Sequence, residues 1–151
     1  MFYFSVITQL RIIYISGGDN HMAGTQRASK SGKDLQQRVI KKAEDLGLGT
    51  ESEVPAGRRI WGAKRYIDVV ITNRITGSRL GVECKYQGGP GSAEEKIPSL
   101  IQDIGSWPIP GIVVIDGEGF SKNMEGYLLS TGKVVWFEDL EDWIRLYFGL
   151  E

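Results

Sequence analysis

Two acidic residues and a lysine stand out because they interrupt segments that are otherwise typical of buried β-strands. Residues 67–72 are apolar or β-branched apart from Asp68. Residues 79–87 predict a second strand, in which polar side chains occupy alternate positions: Glu83, Lys85 and Gln87. Because side chains alternate across a strand, these three share one face. Desolvating charges there is costly unless they are paired or bind a metal ion, so the pattern favours a functional site.

A turn between the two segments would bring Asp68 beside Glu83. The intervening residues are typical of a turn, namely Asn73, Gly77 and Ser78. The other face of the second strand carries Val82, Cys84 and Tyr86. Cys84 is not expected to be a nucleophile, because it points away from Lys85 and lacks a suitable histidine partner. Cross-strand ion pairs on a half-exposed sheet are the alternative explanation for these charges.

This hairpin resembles the PD-(D/E)XK nuclease superfamily, whose motif is an acid at the end of one strand followed by Glu/Asp-x-Lys on the next. Asp68 matches the first acid, and Glu83-Cys84-Lys85 matches the second part. Gln87 matches a glutamine often found two residues further on, whereas Ile67 replaces the usual proline. Residues 91–104 resemble the G-(S/T)-A-E-x-K stretch of some restriction-type nucleases. By the order of its elements, the resemblance covers residues 32–151.

The resemblance implies an α/β fold with a restriction-endonuclease-like core, in which helices flank a mixed β-sheet. The chain predicts the same element order, α-β-β-β-α-β-α-β-α. Outside the hairpin, helices are predicted over 33–46, 92–104, 121–130 and 139–148, and strands over 58–62, 111–116 and 134–137. Residues 50–55 are predicted to be a linker. Ser92 and Glu95 form a capping box for the second helix, and Pro98 should kink that helix or delay its start.

The resemblance also implies a catalytic site that binds Mg²⁺, for which Mn²⁺ can substitute. The expected metal ligands are the carboxylates of Asp68 and Glu83 and the backbone carbonyl of Cys84, because magnesium prefers oxygen ligands. Lys85 would orient the attacking water and offset negative charge, and Gln87 would position the substrate backbone. On the first helix, Gln36 occupies the place of an accessory acid and is expected to bind a metal-ligated water. Glu44 is an alternative acid near that helix end.

Length and charge are compatible with one DNA-binding domain. The 151 residues can bury a core, and the single cysteine excludes an internal disulfide. Residues 23–86 carry 13 Lys and Arg against 7 Asp and Glu, whereas residues 87–151 carry 4 against 11. This asymmetry predicts a basic functional face, unless charges of the two halves intermix. The residues predicted to bind DNA are Arg58, Arg59, Lys64, Arg65 and Lys96.

Residues 1–21 are predicted to be a non-native or disordered leader, and residues 22–151 a single nuclease domain. The apolar stretch within the leader is too short to span a bilayer and lacks the features of a signal peptide. Gly17-Gly18-Asp19 is what GGA-GGU-GAU, a strong bacterial ribosome-binding sequence, would encode. We therefore expect translation to start at Met22, with a genuine extra strand as the alternative. The only histidine, His21, lies in this segment and is given no catalytic role.

These features predict a metal-dependent DNA endonuclease of homing or restriction type, from a phage or mobile element. A small domain with one site cuts one strand, so double-strand cleavage would require a homodimer or a higher homo-oligomer. We expect it in the cytoplasm of a bacterium or a phage-infected host, with no membrane partner. A non-catalytic DNA-binding protein on the same fold and a Holliday-junction resolvase are the alternatives. A metal-independent RNA nuclease is disfavoured because a histidine base is missing.

Overall fold

The computed structural model describes residues 31–58, 62–91 and 94–151. Predictions for the leader, Arg59 and Ser92 lie outside these described residues. The described elements follow one another in the predicted order. They are α1 (Gly32–Asp45), β1 (Gly49–Arg58), β2 (Lys64–Thr72), β3 (Arg79–Tyr86), α2 (Ile97–Gly105), β4 (Gly111–Asp116), α3 (Lys122–Thr131), β5 (Val134–Trp136) and α4 (Leu140–Phe148).

The five described strands form one mixed sheet, in which strand order follows chain order. The pairs β1–β2 and β2–β3 are antiparallel, whereas β3–β4 and β4–β5 are parallel. Helices α2 and α3 lie in the two crossovers between parallel strands, as such connections require. The expected α/β fold, with a mixed sheet flanked by helices, is confirmed.

Two hydrophobic clusters hold the helices against opposite faces of the sheet. One cluster joins α1 and α4 to the face that carries Val82 and Cys84. The other joins α2 and α3 to the face that carries Val113 and Ile115. The molecule therefore has three layers, and β4 is apolar on both faces because helices cover it on both sides.

Helix α1 forms as its sequence predicts. The Ser31 hydroxyl accepts the backbone N–H of Asp34 at 3.2 Å, which caps the first turn. The apolar stripe of Leu35, Val39 and Ala43 is fully buried. The helix ends before Gly47, whose φ of 82° lies in the left-handed region that favours glycine.

The first strand was wrongly placed by the sequence pattern. Residues 50–55 belong to β1 (Gly49–Arg58) and are not a linker, and the strand ends at Arg58 instead of beginning there. β1 is an edge strand whose side chains are mostly exposed, so it lacks the buried alternate positions that identify a strand. Pro55 is compatible with this position, because an edge strand leaves part of its backbone unpaired.

Two other features of the chain match their predictions. The hairpin turn is closed by Asn73, whose side chain accepts the N–H of Ile75 at 3.0 Å, while Gly77 adopts a φ of 77°. Pro98 delays α2, since a short 3₁₀-helix (Glu94–Lys96) precedes it and the proline occupies the first turn. Among the helices that the structure describes, none has both the length and the apolar character needed to cross a membrane.

Candidate functional site

Strands β2 and β3 stop pairing through their backbones at the predicted acids. The described register runs from Thr72 opposite Arg79 to Val69 opposite Val82. Asp68 and Glu83 are the next residues on the two strands. There the Oδ2 atom of Asp68 accepts the backbone N–H of Cys84 at 2.9 Å. The carboxylate of Asp68 therefore lies against β3, within the Glu83–Lys85 motif.

The two faces of β3 differ as alternation predicts. Cys84 is 4% exposed and packs in the cluster under α1 and α4, where burial raises the pKa of its thiol well above the ordinary value. Glu83 and Lys85 pair in register with Val113 and Ile115 of β4, which belong to the opposite cluster. The acid and the amine therefore share one face, and a nucleophilic role for the buried thiol is disfavoured.

Lys85 is half-buried, and no described residue forms a hydrogen bond or an ion pair with its ammonium group. Its charge nevertheless reaches Asp68. Burial raises the pKa of Asp68 above its ordinary value, whereas the Cys84 N–H and the charge of Lys85 act to lower that pKa. The negative charge of Glu53 raises it. A partly desolvated carboxylate thus lies within electrostatic reach of a cation and a second acid.

Gln36 of α1 contacts the main chain of Asp68. Its Nε2 donates to the Asp68 carbonyl at 2.9 Å and to the Oε1 atom of Glu53 at 3.2 Å. The side chain is only 8% exposed, so this contact ties α1 to both strands of the first hairpin. Binding of a metal-ligated water by Gln36 stays a prediction. Glu44, the alternative acid, is exposed and accepts the hydroxyl of Thr50 at 2.8 Å.

Sequence reasoning missed Glu53, because the segment that carries it was interpreted as a linker. Ser52 of β1 pairs with Val69 of β2, and Val54 pairs with Ile67. Glu53 lies between the two paired residues of β1, and Asp68 lies between the two paired residues of β2. With β1 correctly assigned, Glu53 would have been recognised as an acid on the strand that pairs with the strand of Asp68.

Gln87 joins two loops at the carboxyl ends of the parallel strands. Its Nε2 donates to the Gly119 carbonyl at 2.7 Å, and its Oε1 accepts the Glu94 N–H at 3.0 Å. The residue is 5% exposed. A Cβ at Gly119 would clash with the Gly89 carbonyl oxygen, which shows how closely the loops approach. These contacts give Gln87 a structural role, and its catalytic role stays a prediction.

The cations predicted to bind DNA fall into two groups. Arg65 donates to Asp103 at 2.9 Å and to the hydroxyl of Ser106 at 2.6 Å, and its side chain is 13% exposed. This geometry does not favour the prediction that Arg65 binds DNA. Three others are exposed on the surface, Arg58, Lys64 and Lys96. Arg59 lies outside the described residues.

The basic residues of α1 are largely compensated by acids. Arg38 pairs with Asp116 at 2.7 Å, and Lys42 pairs with Glu141 at 3.7 Å. Both pairs join the basic part of the sequence to the acidic part. Charges of the two halves therefore intermix around α1, and the expected basic face does not extend over this helix.

The predicted metal ligands have suitable chemistry. Asp68 and Glu83 offer carboxylate oxygens on neighbouring strands, and oxygen is the ligand that magnesium prefers. The negative charge that Glu53 adds near the Asp68 carboxylate is of the sign that a divalent cation would offset. Within residues 31–58, 62–91 and 94–151, no group of three or more His, Cys, Asp or Glu side chains forms a metal-binding cluster. The two carboxylates are of the chemical type that binds a divalent ion, and binding of one by this pair stays a prediction.

Three solved structures resemble this chain. A protein of unknown function, AF1548, aligns with a TM-score of 0.47 and 18% identity over 69% of this chain and 58% of its own. Protein VC1899 from Vibrio cholerae aligns with a TM-score of 0.44 and 15% identity, over 79% of this chain and 33% of its own. A repair endonuclease from Pyrococcus abyssi aligns with a TM-score of 0.41 and 12% identity, over 76% of this chain and 48% of its own. The chain thus spans about a third to three fifths of these proteins.

No curated protein matches the sequence. A family model does match, over residues 27–133, which include α1, the hairpin with Asp68 and Lys85, and the strands as far as β4. Its description is PD-(D/E)XK nuclease superfamily domain, and nucleases of this superfamily typically use divalent metal ions. The chain therefore belongs to the PD-(D/E)XK nuclease superfamily.

Proposed function

We propose that the protein is a magnesium-dependent DNA endonuclease whose catalytic residues are Asp68, Glu83 and Lys85. The observation that carries this proposal is the environment of Lys85. Its ammonium group is half-buried and has no hydrogen-bond or ion-pair partner among the described residues, yet its charge acts on the carboxylate of Asp68. A structural ion pair would hold this cation against an acid. An ammonium group left without such a contact is suited to an anionic substrate.

Asp68, Glu83 and the backbone carbonyl of Cys84 would hold the metal ion, with Mn²⁺ able to replace Mg²⁺. When bound, the ion would lower the pKa of a water molecule and neutralise negative charge on the phosphate. The residues of the chain orient the reactants. Lys85 would donate a hydrogen bond to a phosphate oxygen or to the attacking water, and its charge offsets the negative charge that develops during cleavage. The Cys84 N–H fixes the Asp68 carboxylate from the side of β3.

DNA would approach along the outer half of the β1–β2 hairpin. Backbone pairing continues to Arg58 opposite Lys64, so the ribbon extends well beyond Asp68. Arg58 and Lys64 are exposed there, and no acid pairs with either among the described residues. Such cations bind phosphates without reading bases. Lys96, which is exposed just before α2, is a further cation that would bind phosphates, and DNA binding by Arg59 stays a prediction.

We further propose that residues 22–151 form a single nuclease domain and that the protein acts as a homodimer. One site cuts one strand, so a symmetric pair of sites suits a duplex with two antiparallel strands. We propose that it is a homing or restriction enzyme of a phage or mobile element. Its DNA substrate places it in the cytoplasm of a bacterial or phage-infected cell.

Plasmid nicking tests the proposal. Supercoiled DNA is incubated with the full chain in the presence of Mg²⁺, of Mn²⁺, or of a chelator, and the nicked and linear forms are measured. We expect cleavage with either metal ion, none with the chelator, and a loss of about 10²–10³-fold for Asp68→Ala and Lys85→Ala. Cleavage by both variants at the wild-type rate would remove the catalytic assignment. DNA binding without any cleavage would identify a non-catalytic DNA-binding protein instead.

A further inference from the structure

Glu53 has an unusual backbone for a strand residue. Its φ is 52°, and it is the only non-glycine among the described residues with a positive φ. The left-handed region is costly for a residue with a Cβ. Glu53 keeps this conformation in β1 between Ser52 and Val54, which both remain paired with β2.

The side chain of Glu53 accepts a hydrogen bond from the same amide group of Gln36 that donates to Asp68. Gln36 Nε2 carries two hydrogens, and its two partners are both acceptors, a carboxylate of β1 and the main-chain carbonyl of Asp68. The opposite orientation of the amide would place its oxygen against two acceptors. Glu53 therefore fixes the orientation of Gln36, and Gln36 holds the backbone of Asp68.

Asp68 is thus held at two points. Its carboxylate is bound by the Cys84 N–H from β3, and its carbonyl is bound by Gln36 from α1. The charge of Glu53 also reaches Asp68, which lies between the same paired residues on the adjacent strand. Glu53 itself is exposed, so it is not needed to fill the core.

We infer that Glu53 is a positioning residue of the nuclease site, which orients Gln36 on the Asp68 backbone and adds negative charge that strengthens cation binding there. This inference rests on the proposed function, because it assigns Glu53 a role toward the metal ion of that site. It predicts two separable effects. The charge of Glu53 contributes to metal affinity, and its hydrogen bond to Gln36 contributes to the geometry of Asp68.

Two substitutions separate these effects. Glu53→Gln removes the charge but keeps an oxygen that can accept the Gln36 N–H, whereas Glu53→Ala removes both. We expect Mn²⁺ binding to the full chain, measured by calorimetry without DNA, to weaken about fivefold in both variants, as a close unit charge in a watery environment would give. The rate of nicking at saturating Mg²⁺ should stay near wild type in Glu53→Gln and fall about tenfold in Glu53→Ala, because only the latter releases Gln36.

Glu51→Gln is the matched control. Glu51 lies on the same strand and is also exposed, but it pairs with Arg79 at 3.2 Å. It should leave Mn²⁺ affinity and nicking unchanged, and thermal unfolding should show that all three variants are folded. If the wild type cuts DNA and the Glu53 variants match its metal affinity and rate, this inference fails while the proposed function stands. A wild-type protein that neither binds Mn²⁺ nor cuts DNA overturns both.

Discussion

Two partly buried cations on neighbouring strands have opposite environments. Arg65 of β2 donates to Asp103 and Ser106, which lie at the end of α2 on another part of the chain. Lys85 of β3 has no such partner among the described residues, although Asp68 lies within reach of its charge. We call the first group, Arg65 with Asp103 and Ser106, the β2–α2 lock.

The difference shows that the fold compensates one cation with an ion pair and leaves the other without one among the described residues. A guanidinium group is planar and rigid, so it suits a fixed pair in which several donors are used at once. An ammonium group is a compact charge on a flexible stem, so it can follow a substrate. The lock neutralises its own charge, whereas the amine of Lys85 near Asp68 would be available to a phosphate under the proposed function. Changes to each region should therefore affect different measurements.

Lys85→Met should have the largest effect, and it should appear in catalysis alone. The nicking rate should fall about 10²–10³-fold, because charge stabilisation during cleavage is lost. The unfolding free energy from urea titration should change little, since no described partner is left unpaired. Lys133→Met, which alters another lysine without a described partner, should keep wild-type activity. Loss of stability in Lys85→Met would mean that this amine belongs to the structural group.

Arg65→Met should show the opposite behaviour. Removing one member of a largely buried pair leaves Asp103 without the guanidinium, which typically costs about 3 kcal/mol of stability. Urea unfolding measures this loss, and nicking per folded molecule should remain near the wild-type rate. Asp103→Asn, made in the same background, should cause little further loss, because the partners act together. If the Arg65→Met variant is folded but inactive, the prediction that Arg65 binds DNA is supported.

Gln87→Ala tests to which of the two regions the glutamine belongs. The substitution leaves the Gly119 carbonyl and the Glu94 N–H without their side-chain partner, which should cost about 2 kcal/mol in urea unfolding. Gln37→Ala, at an exposed position of α1, should cost almost nothing. If Gln87→Ala instead keeps its stability and loses nicking activity, the predicted contact of Gln87 with substrate is supported.

Asp68→Asn should give the smallest change in stability. The change should be an increase, whereas substitution of Arg65 in the β2–α2 lock should cause a decrease. Burial raises the pKa of Asp68 in the folded state, so the folded protein takes up this proton more readily than the unfolded chain. Wild-type stability therefore increases as pH falls through the raised pKa. At pH 7 the variant should be more stable than the wild type, and this difference should disappear below the ordinary pKa of 3.8. Urea unfolding at several pH values measures it, and a less stable variant at pH 7 would contradict the expectation.

The sequence predicted features that depend on local periodicity. The apolar stripe of α1, the turn at Asn73 and the polar face of β3 are all encoded by residues close together in the chain, and the order of the elements follows from them. β1 was not recognised because an edge strand with exposed side chains lacks a buried alternate pattern. Glu53 was missed with it, although its place opposite β2 follows at once when the strand is known.

Partners distant in sequence could not be predicted. Arg65 lies 38 residues from Asp103, and Gln87 lies 32 residues from Gly119. No short pattern signals either contact, and the predictions that Arg65 binds DNA and that Gln87 contacts the substrate stay predictions. Which cation is compensated depends on where α2 ends against β2, and that is set by tertiary packing. The sequence identifies the charged residues, whereas the fold decides which of them remain available.

The agreement between strand order in the sheet and order along the chain has a consequence for assembly. Each described strand lies beside the one made before it, so no strand has to enter between two that are already joined. The short turn of the β2–β3 hairpin loses little entropy on closing, whereas the two parallel pairs need longer crossovers that contain helices. A chain leaving the ribosome can therefore add its strands one at a time. The hairpin that carries Asp68 and Lys85 can form while the carboxyl-terminal helix is still being synthesised.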